Sequence, residues 1–327
     1  MDSSQRGVYM YIDFNETAEI LRNCKDAVII THKSPDGDCI GAGFGLKDIL
    51  AELGIRSRVV CSDPFPKRYS FITDIGAGEE FEPQTVISVD LADKQLMGKY
   101  EEIYGDKVNL CIDHHISNKN YAEKTLLNAD ASSACEVIFE LAEFMGVNIT
   151  RHCVVSLYTG MSTDSGCFRY ECTGARTHEI AGKMMRMYPD IKYHMINRLM
   201  FEAKSPAKLK LESMLFNLLE SYCDGKIGFL AITQDMMKEM GIEIEELEGF
   251  APATIKLDTA EIGILIRERE KGVFKCSFRS VDRINVSEIC ETLGGGGHAK
   301  AAGCTMKGNL EDVKKILIDT ARKAVEE

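Results

Sequence analysis

Four short apolar runs, separated by helical stretches, constrain the fold of the first half of the chain. They span residues 27–31, 56–62, 85–90 and 108–112. Short apolar runs bounded by polar, turn-forming residues are typical of buried strands. Strands that alternate with helices form parallel sheets, so we predict an α/β fold with a doubly wound, mostly parallel sheet.

Acids and imidazoles follow several of these predicted strands. They are His32, Asp36, Asp38, Asp90, Asp113, His114 and His115, and Asp164 follows a further apolar segment, 154–161. The carboxyl ends of parallel strands converge on one crevice, so these side chains are expected to meet there. Carboxylates with one or two imidazoles are typical ligands of a hard or borderline divalent ion. Taken alone, the two adjacent histidines fit local capping of a strand equally well.

The same residues, in this order, resemble the motifs of the DHH phosphoesterase superfamily. The four motifs are His32-x-x-x-Asp36-x-Asp38, Asp90, Asp113-His114-His115 and Asp164. The stretches 277–280 (Ser-Phe-Arg-Ser) and 294–303, which begins with four glycines and His298, are similar to the signature of the DHH-associated C-terminal domain. The length and two-domain layout look most like the group of nanoRNases (oligoribonucleases) and 3′,5′-bisphosphate nucleotide (pAp) phosphatases.

This resemblance implies hydrolysis of phosphoric esters with two divalent ions. One ion would be held by His32, Asp36 and Asp90, and the other by Asp38, Asp90, His114 and Asp164, so that Asp90 bridges the pair. Mixed carboxylate and imidazole ligands suit Mn²⁺ well and Mg²⁺ less well. Asp113 would orient its neighbours, and His115 would contact a phosphate or donate a proton to the leaving oxygen.

In the second half of the chain, a glycine run and one arginine are candidate substrate-binding residues. Gly294, Gly295, Gly296 and Gly297 precede His298, and successive free N–H groups in such a loop form an anion-binding nest. A flexible hinge is the alternative for the run. Arg279 falls on the family motif. A solvated strand surface is the better interpretation for the other cations nearby, namely Arg267, Arg269, Lys271, Lys275 and Arg283.

We predict a metal-binding catalytic domain at 1–190, a helical connector at 191–225 and a smaller mixed α/β substrate-binding domain at 226–327. Residues 191–222 are predicted to be helical, with Leu211, Leu215, Leu218 and Tyr222 on one face. That face either packs on a domain or forms the contact of a homodimer. Strands are predicted at 227–232, 261–267 and 274–280, and helices at 285–293 and 310–325.

The charge and cysteine content restrict the partners and the compartment. The 39 basic and 51 acidic side chains leave a net charge of −12, which argues against binding long nucleic acid by charge attraction. Short oligonucleotides and mononucleotide bisphosphates remain suitable substrates. The 12 cysteines form no C-x-x-C pair, and neither a signal segment nor a membrane-spanning run is apparent, so we predict a cytoplasmic protein with reduced thiols.

Three other functions share parts of this pattern. A family II inorganic pyrophosphatase has the same metal motifs, but the glycine run argues against it. A single-strand DNA exonuclease is disfavoured by the acidic charge and by the lack of an extra nucleic-acid-binding domain. A non-catalytic nucleotide sensor would keep the fold without turnover. Within the favoured group, short RNA oligomers, linear dinucleotides and pAp fit the sequence equally well as substrates.

Overall fold

The computed structural model describes residues 10–242, 247 and 249–326, which belong to two compact units. The chain divides between Ala203 and Lys204. This point lies inside the segment 191–225 that we assigned to a connector. Each unit has its own sheet and its own apolar core.

The first unit contains a parallel sheet, as predicted. Its described strands are β1 (Met10–Tyr11), β2 (Ala27–Ile30), β3 (Ser57–Val60), β4 (Thr85–Val89), β5 (Leu110–Asp113) and β6 (Lys124–Leu127). They lie in the order β1-β6-β5-β4-β2-β3, and every pairing is parallel. From β2 the chain first moves outward to β3 and then returns to β4 on the other side. The gap between β2 and β4 is therefore the switch point of the sheet, where ligands of such folds bind.

Two strands of this sheet were absent from our prediction. β1 has only two residues, and it joins the sheet by pairing with β6, with Met10 opposite Lys124. A run of two residues carries no period that a sequence pattern can detect. Both strands lie at the side of the sheet away from the switch point.

Helices connect and cover the strands of the first unit. They are α1 (Phe14–Asn23), α2 (Gly37–Glu52), α3 (Ser70–Thr73), α4 (Glu101–Tyr104), α5 (Ala134–Met145), α6 (Arg151–Asp164), α7 (Ala175–Met187) and α8 (Tyr193–Asn197). Lys67–Tyr69 and Lys94–Tyr100 form 3₁₀ turns, and Arg198–Glu202 forms a π-helical turn. No helix in the described part of the chain is long and apolar enough to cross a bilayer.

Glycines allow α2 and α6 to pack with their backbones close together. A Cβ at Gly160 would lie 2.1 Å from Sγ of Cys135 and 2.8 Å from Oδ1 of Asp38, and one at Gly41 would lie 2.4 Å from the carbonyl oxygen of Ser156. Any larger side chain at either position would separate the helices. The close packing matters because α2 begins next to Asp36 and α6 ends at Asp164.

The second unit contains the smaller mixed sheet that we predicted. Its described strands are β7 (Glu220–Tyr222), β8 (Ile227–Ile232), β9 (Ile262–Glu270), β10 (Val273–Ser280), β11 (Gly296–His298) and β12 (Ala301–Lys307). The order is β11-β12-β10-β9-β8-β7; β8 and β9 are parallel, and the other neighbours are antiparallel. The helices are α9 (Pro206–Phe216), α10 (Gln234–Met240), α11 (Val286–Thr292) and α12 (Leu310–Glu326), with a 3₁₀ turn at Ala251–Ile255.

The prediction of one helical segment over 191–222 was wrong in two places. The chain leaves the π-helical turn before Ser205, whose side chain caps α9, and α9 itself ends at Phe216. Tyr222 lies instead in β7, opposite Ile227 of β8. Backbone pairing with β8 outweighs the helical spacing of the leucines. Leu211 and Leu215 are buried in an apolar cluster of the second unit, so this face packs on its own domain.

Candidate metal centre

The predicted metal ligands of the first unit come from the switch point of its sheet and from two helix ends. His32 follows β2, and Asp90 follows β4 directly. Asp113 is the last residue of β5, so His114 and His115 extend from the same edge. Asp36 is the N-cap of α2, and Asp164 is the last residue of α6.

Among the described residues, three groups of side chains are close enough to bind metal ions. The ligand atoms within each group lie within 4.8 Å of one another; the groups are His32–Asp36–Cys39–Asp90, Asp90–His114–His115 and Asp38–His114–Asp164. Nε2 of His32 is 3.5 Å from Oδ1 of Asp36 and 3.7 Å from Oδ2 of Asp90. Nε2 of His114 is 3.4 Å from Oδ2 of Asp164, 3.6 Å from Oδ1 of Asp90 and 3.8 Å from Oδ2 of Asp38.

Asp90 lies between these groups and directs one oxygen toward each histidine. Its backbone has a φ of 53°, in the left-handed region that few residues other than glycine adopt, and its N–H donates to the carbonyl of Ile112. The carboxylate is 3% exposed, and within the described structure Oδ1 has no hydrogen-bond donor. Burial, followed by repulsion from Asp38 and Asp36, raises the pKa of Asp90 well above its ordinary value. A buried, unpaired carboxylate is costly, and a bridging cation would remove that cost.

Backbone N–H groups hold Asp36 and Asp38 in place. Oδ1 of Asp36 accepts from the N–H groups of Asp38 and Cys39 at 3.1 Å, which caps α2. The buried carboxylate of Asp38 accepts from the N–H of Ala134 at 2.7 Å and from that of Cys135 at 3.0 Å, in the first turn of α5. Burial raises the pKa of Asp38. In Asp36, burial acts in the same direction, but the hydrogen bond with His32 and the backbone donors outweigh it, and the pKa is lowered.

Carbonyl groups fix the orientation of two of the histidine rings. Nδ1 of His32 lies 2.8 Å from the carbonyl oxygen of Lys33, and Nδ1 of His114 lies 3.2 Å from that of Ala131. Because a carbonyl only accepts, the proton in each contact is on Nδ1. Nε2 is then the atom that each ring directs toward the carboxylates, which is the arrangement of a metal-binding histidine.

Asp113 holds His115 through a short hydrogen bond. Nδ1 of His115 donates to Oδ1 of Asp113 at 2.7 Å, while Nδ2 of Asn118 donates to Oδ2 at 2.6 Å. The hydrogen bond with Asp113 raises the pKa of His115, although burial opposes it. His115 also belongs to a group with Asp90 and His114, with its Nδ1 3.5 Å from Oδ1 of Asp90. A half-exposed imidazole with Nδ1 bonded to a buried acid can present Nε2 to a phosphate or a leaving oxygen.

The chemistry of this donor set fits hard or borderline divalent ions. Its members are mainly carboxylate oxygens and imidazoles, with one or two imidazoles in each group, and the buried Oδ1 of Asp90 has no hydrogen-bond donor among the described residues. Asp164 illustrates the excess of negative charge, because burial and then repulsion from Asp38 and Asp36 raise its pKa to about 8. Divalent ions would compensate that charge.

The candidate substrate-binding residues of the second unit lie on β10 and around β11. Arg279 is half-buried, its guanidinium donates to the carbonyl of Phe278 at 2.8 Å, and burial lowers its pKa. The glycine run is not the open nest of four free N–H groups that we expected. Gly294 and Gly295 donate to the carbonyls of Glu291 and Cys290 at the end of α11, and Gly296 to His298 form β11. Local backbone pairing therefore uses donors that the sequence alone left free.

Several residues around the centre were absent from the sequence analysis. Asn118 holds the second oxygen of Asp113, and the N–H groups of Ala134 and Cys135 hold Asp38. Cys39 is buried, and its thiol is grouped with His32, Asp36 and Asp90. Asn118 lies five residues after Asp113 in a polar segment, which is a weak signal. The backbone donors of α5 carry no sequence signal.

Comparison with known families matches both halves of the chain. Residues 26–161 match the model described as DHH family, N-terminal domain, and residues 232–327 match that of the DHHA1 domain. The first range includes every predicted metal ligand except Asp164, and the second includes Arg279 and the glycine run.

Individual relatives are similar over almost their whole length. A Thermus thermophilus protein named bifunctional oligoribonuclease and PAP phosphatase NrnA is 27% identical over 315 residues, covering 94% of this chain and 92% of that protein. A Bacillus subtilis protein with the same name is 24% identical over 300 residues, covering 90% and 93%. A crystal structure of an exopolyphosphatase-related protein from Bacteroides fragilis has a TM-score of 0.84 at 21% identity and covers 95% of both chains, which shows a shared fold.

Proposed function

The chain belongs to the DHH family and is a hydrolase of phosphoric ester bonds; from this premise we propose that it releases 5′-mononucleotides from very short oligoribonucleotides and converts pAp to AMP. Linear dinucleotides belong to the same substrate class. Relatives named oligoribonuclease and PAP phosphatase support this choice, since they align over most of both chains. We further propose that two Mn²⁺ ions serve the reaction and that the protein acts in the cytoplasm.

One observation carries the proposal, namely the buried Asp90 carboxylate between His32 and His114. His32, Asp36 and Asp90 would hold one ion, and Asp38, Asp90, His114 and Asp164 the other. When bound, such ions supply Lewis-acid activation of water and neutralise charge on the phosphoryl oxygens. Five carboxylates, including Asp113, lie close enough to repel one another here, and divalent ions would offset that repulsion.

The protein side chains would contribute orientation and proton transfer. Ala134 and Cys135 fix Asp38 through their N–H groups, and the carbonyls of Lys33 and Ala131 fix the two ligand histidines. His115 would donate a proton from Nε2 to the leaving oxygen, because Asp113 favours the protonated imidazole. In the second unit, Arg279 and His298 would contact the substrate, so that the domain at 226–327 binds the nucleotide that the domain at 1–190 cleaves.

A side-by-side hydrolysis assay tests the function. Wild-type protein with Mn²⁺ is given RNA of two, three, five and about twenty nucleotides, together with pAp, a linear dinucleotide and pyrophosphate. We expect fast release of mononucleotides from the shortest RNAs and AMP from pAp, with rates that fall as length increases. Rates that rise with length would indicate an exonuclease of long strands, and turnover of pyrophosphate alone would indicate a pyrophosphatase. An absence of any turnover would support a nucleotide sensor.

A further inference from the structure

A small cleft adjoins the candidate metal centre within the first unit. Its volume is about 230 Å³, and it is lined by the two acids Asp36 and Asp164, by Arg68 and Tyr69, and by Met200 and Phe201. Sites for drug-sized ligands usually measure about 300–1,000 Å³, so this cleft has room for part of one nucleotide rather than for an oligomer. Because two of its acids are candidate metal ligands, whatever occupies it lies beside the reacting phosphate.

Arg68 supplies a positive charge to a cleft whose other charged groups are acids. Its guanidinium carbon lies 4.9 Å from the ring centroid of Tyr69, which is itself buried, and within the described residues no carboxylate is at salt-bridge distance from it. The adjacent cation Lys67 is exposed and does not line the cleft. Arg68 also hydrogen-bonds to the Tyr69 side chain, but a guanidinium has five N–H donors in a planar fork, so donors remain for an anion, and phosphate suits them.

Met200 and Phe201 form an apolar wall in an irregular part of the backbone. Both are half-buried and belong to the π-helical turn at Arg198–Glu202, a rare conformation that occurs often at functional sites. The guanidinium of Arg169 lies 6.0 Å from the ring centroid of Phe201. An aromatic side chain that keeps an accessible face can stack on a nucleobase.

The turn between Asp164 and Arg169 is strained. Gly166, Cys167 and Phe168 have successive φ values of 59°, 62° and 60°, and two of them are not glycine. A non-glycine residue in this conformation costs on the order of 1–3 kcal/mol, and such strain is concentrated at functional sites. Hydrogen bonds hold the turn, since the guanidinium of Arg169 donates to Gly166 at 2.6 Å and the N–H of Cys167 to Ser162 at 2.7 Å. These hydrogen bonds keep the strained turn in place and hold Arg169 beside Phe201.

We infer that this cleft binds the 5′-phosphate of the nucleotide whose 3′-ester is hydrolysed, with Arg68 as the phosphate contact and Phe201 against the nucleoside. The inference rests on the proposed function. pAp and a 5′-phosphorylated oligonucleotide carry different groups on the far side of the cleaved 3′-ester. Both, however, have this nucleoside 5′-phosphate. One cation in a cleft of this size, next to the metal-site acids, would recognise the shared group in both and explain how a single centre serves two substrates.

Matched substrates with and without the 5′-phosphate test the inference. Wild type, Arg68→Ala and the control Lys67→Ala are compared on pAp against 3′-AMP and on pApA against ApA. For Arg68→Ala we expect kcat/KM to fall at least tenfold on pAp and pApA, and less than threefold on 3′-AMP and ApA. Lys67→Ala should stay within twofold of wild type on all four. An equal loss on both members of a pair, or no loss on either, would overturn the assignment of Arg68.

Binding provides a readout that does not depend on turnover. A methylenephosphonate-linked diadenylate, with and without its 5′-phosphate, is titrated into Mn²⁺-loaded wild type and Arg68→Ala protein by calorimetry. We expect wild type to bind the 5′-phosphorylated analogue at least tenfold more tightly and the variant to lose that preference. If wild type hydrolyses none of the substrates, the proposed function fails while this preference still decides the role of Arg68. A preference that survives in Arg68→Ala rules out the inference.

Phe201 is tested with a conservative pair of variants. Phe201→Leu keeps an apolar wall and removes the ring, whereas Phe201→Tyr keeps the ring. If the ring stacks on the base, KM for pAp should rise several-fold in Phe201→Leu and stay near wild type in Phe201→Tyr. Equal KM values in all three proteins would remove Phe201 from the subsite.

Discussion

Nδ1 of His115 donates to Oδ1 of Asp113 across 2.7 Å, and this pair connects the buried end of β5 with the half-exposed edge of the candidate metal centre. The second oxygen of Asp113 is held by Asn118 at 2.6 Å. Both carboxylate oxygens of Asp113 thus have partners, and we propose that Asp113 acts through His115 rather than as a metal ligand.

Asp113→Asn should keep the fold and impair the imidazole. The amide oxygen can still accept the hydrogen bond from His115. Without a negative charge, however, the side chain no longer favours the protonated imidazole. Loss of such an outer partner typically costs about 10–100-fold in activity or metal affinity. We expect kcat to fall by that order, with the basic limb of the kcat–pH profile shifted to lower pH, because the pKa of His115 drops. An unshifted profile would show that His115 is not the proton donor.

Replacing Asp90 should affect metal binding and the stability of the metal-free protein in different ways. Asp90→Asn removes a buried charge that lacks a hydrogen-bond donor in the described structure and is repelled by Asp38 and Asp36. The metal-free variant should therefore melt at the same temperature as metal-free wild type or higher. Added Mn²⁺ should raise the Tm of wild type and leave the variant unchanged, since binding to the folded state stabilises it. Full turnover by Asp90→Asn would contradict the bridging role.

Two helix glycines with different surroundings, Gly160 in α6 and Gly182 in α7, should respond oppositely to substitution by alanine. Gly160→Ala places a methyl group 2.1 Å from Sγ of Cys135 and 2.8 Å from Oδ1 of Asp38, so we expect destabilisation of about 1–3 kcal/mol and weaker metal binding. In Gly182→Ala, the added Cβ meets nothing closer than 3.5 Å. This control should gain roughly 0.5–1 kcal/mol, because alanine is the better helix former. Urea unfolding of the metal-free proteins measures both, and a stable Gly160→Ala protein would show that the helices can separate.

Away from the metal centre, His152 should contribute to a pH-dependent stability. Its Nδ1 lies 2.7 Å from Oδ2 of Asp48 and its Nε2 lies 2.9 Å from the carbonyl of Ile72. Burial lowers the pKa of His152, but the bond with Asp48 and the carbonyl outweigh it, and the net pKa is raised. The unfolded value is about 6.5, so the stabilisation is complete below that pH and is lost as pH rises through the higher folded pKa.

Unfolding of His152→Gln at several pH values measures this contribution. The variant should lose more stability relative to wild type at pH 6 than at pH 9. His194→Gln, at an exposed position, is the control and should differ little from wild type at either pH. A wild-type advantage over His152→Gln that grows with pH would contradict the assigned direction of the pKa shift.

In the second unit, Arg279→Ala should chiefly raise KM for nucleotides. Loss of a charge-assisted hydrogen bond to phosphate costs about 1.5–3 kcal/mol, or roughly ten- to a hundred-fold in kcat/KM. Lys275→Ala, on the same strand but at an exposed position, should leave KM unchanged. Hydrolysis of bis(4-nitrophenyl) phosphate and the binding of Mn²⁺ should also stay near wild type. A parallel loss on this small diester would place Arg279 in the catalytic machinery.

Much of the first unit follows from its sequence alone. The apolar runs of β2, β4 and β5 are buried on both faces, so hydrophobicity specifies them directly, and the alternation with helices specifies parallel pairing. Asp36, Asp38, Asp90, Asp113, His114 and Asp164 stand at element ends that the chain pattern identifies. Ser205 and Pro206 likewise begin α9 where their cap and first-turn preferences predict.

Only the tertiary structure decided the features that depend on contacts between distant segments. β7 replaced the end of a predicted helix because its backbone pairs with β8. The glycine run is no open nest because Gly294 and Gly295 donate to carbonyls of α11 and the residues after them pair with β12. The surroundings of Asp90, whose Oδ1 lacks a donor among the described residues, the α5 donors of Asp38 and the cleft of Arg68 and Phe201 likewise depend on residues far apart in the chain. Local propensity and hydrophobic period act over a few residues, whereas hydrogen-bond partners and burial are set by the packed sheet and helices, which no local pattern records.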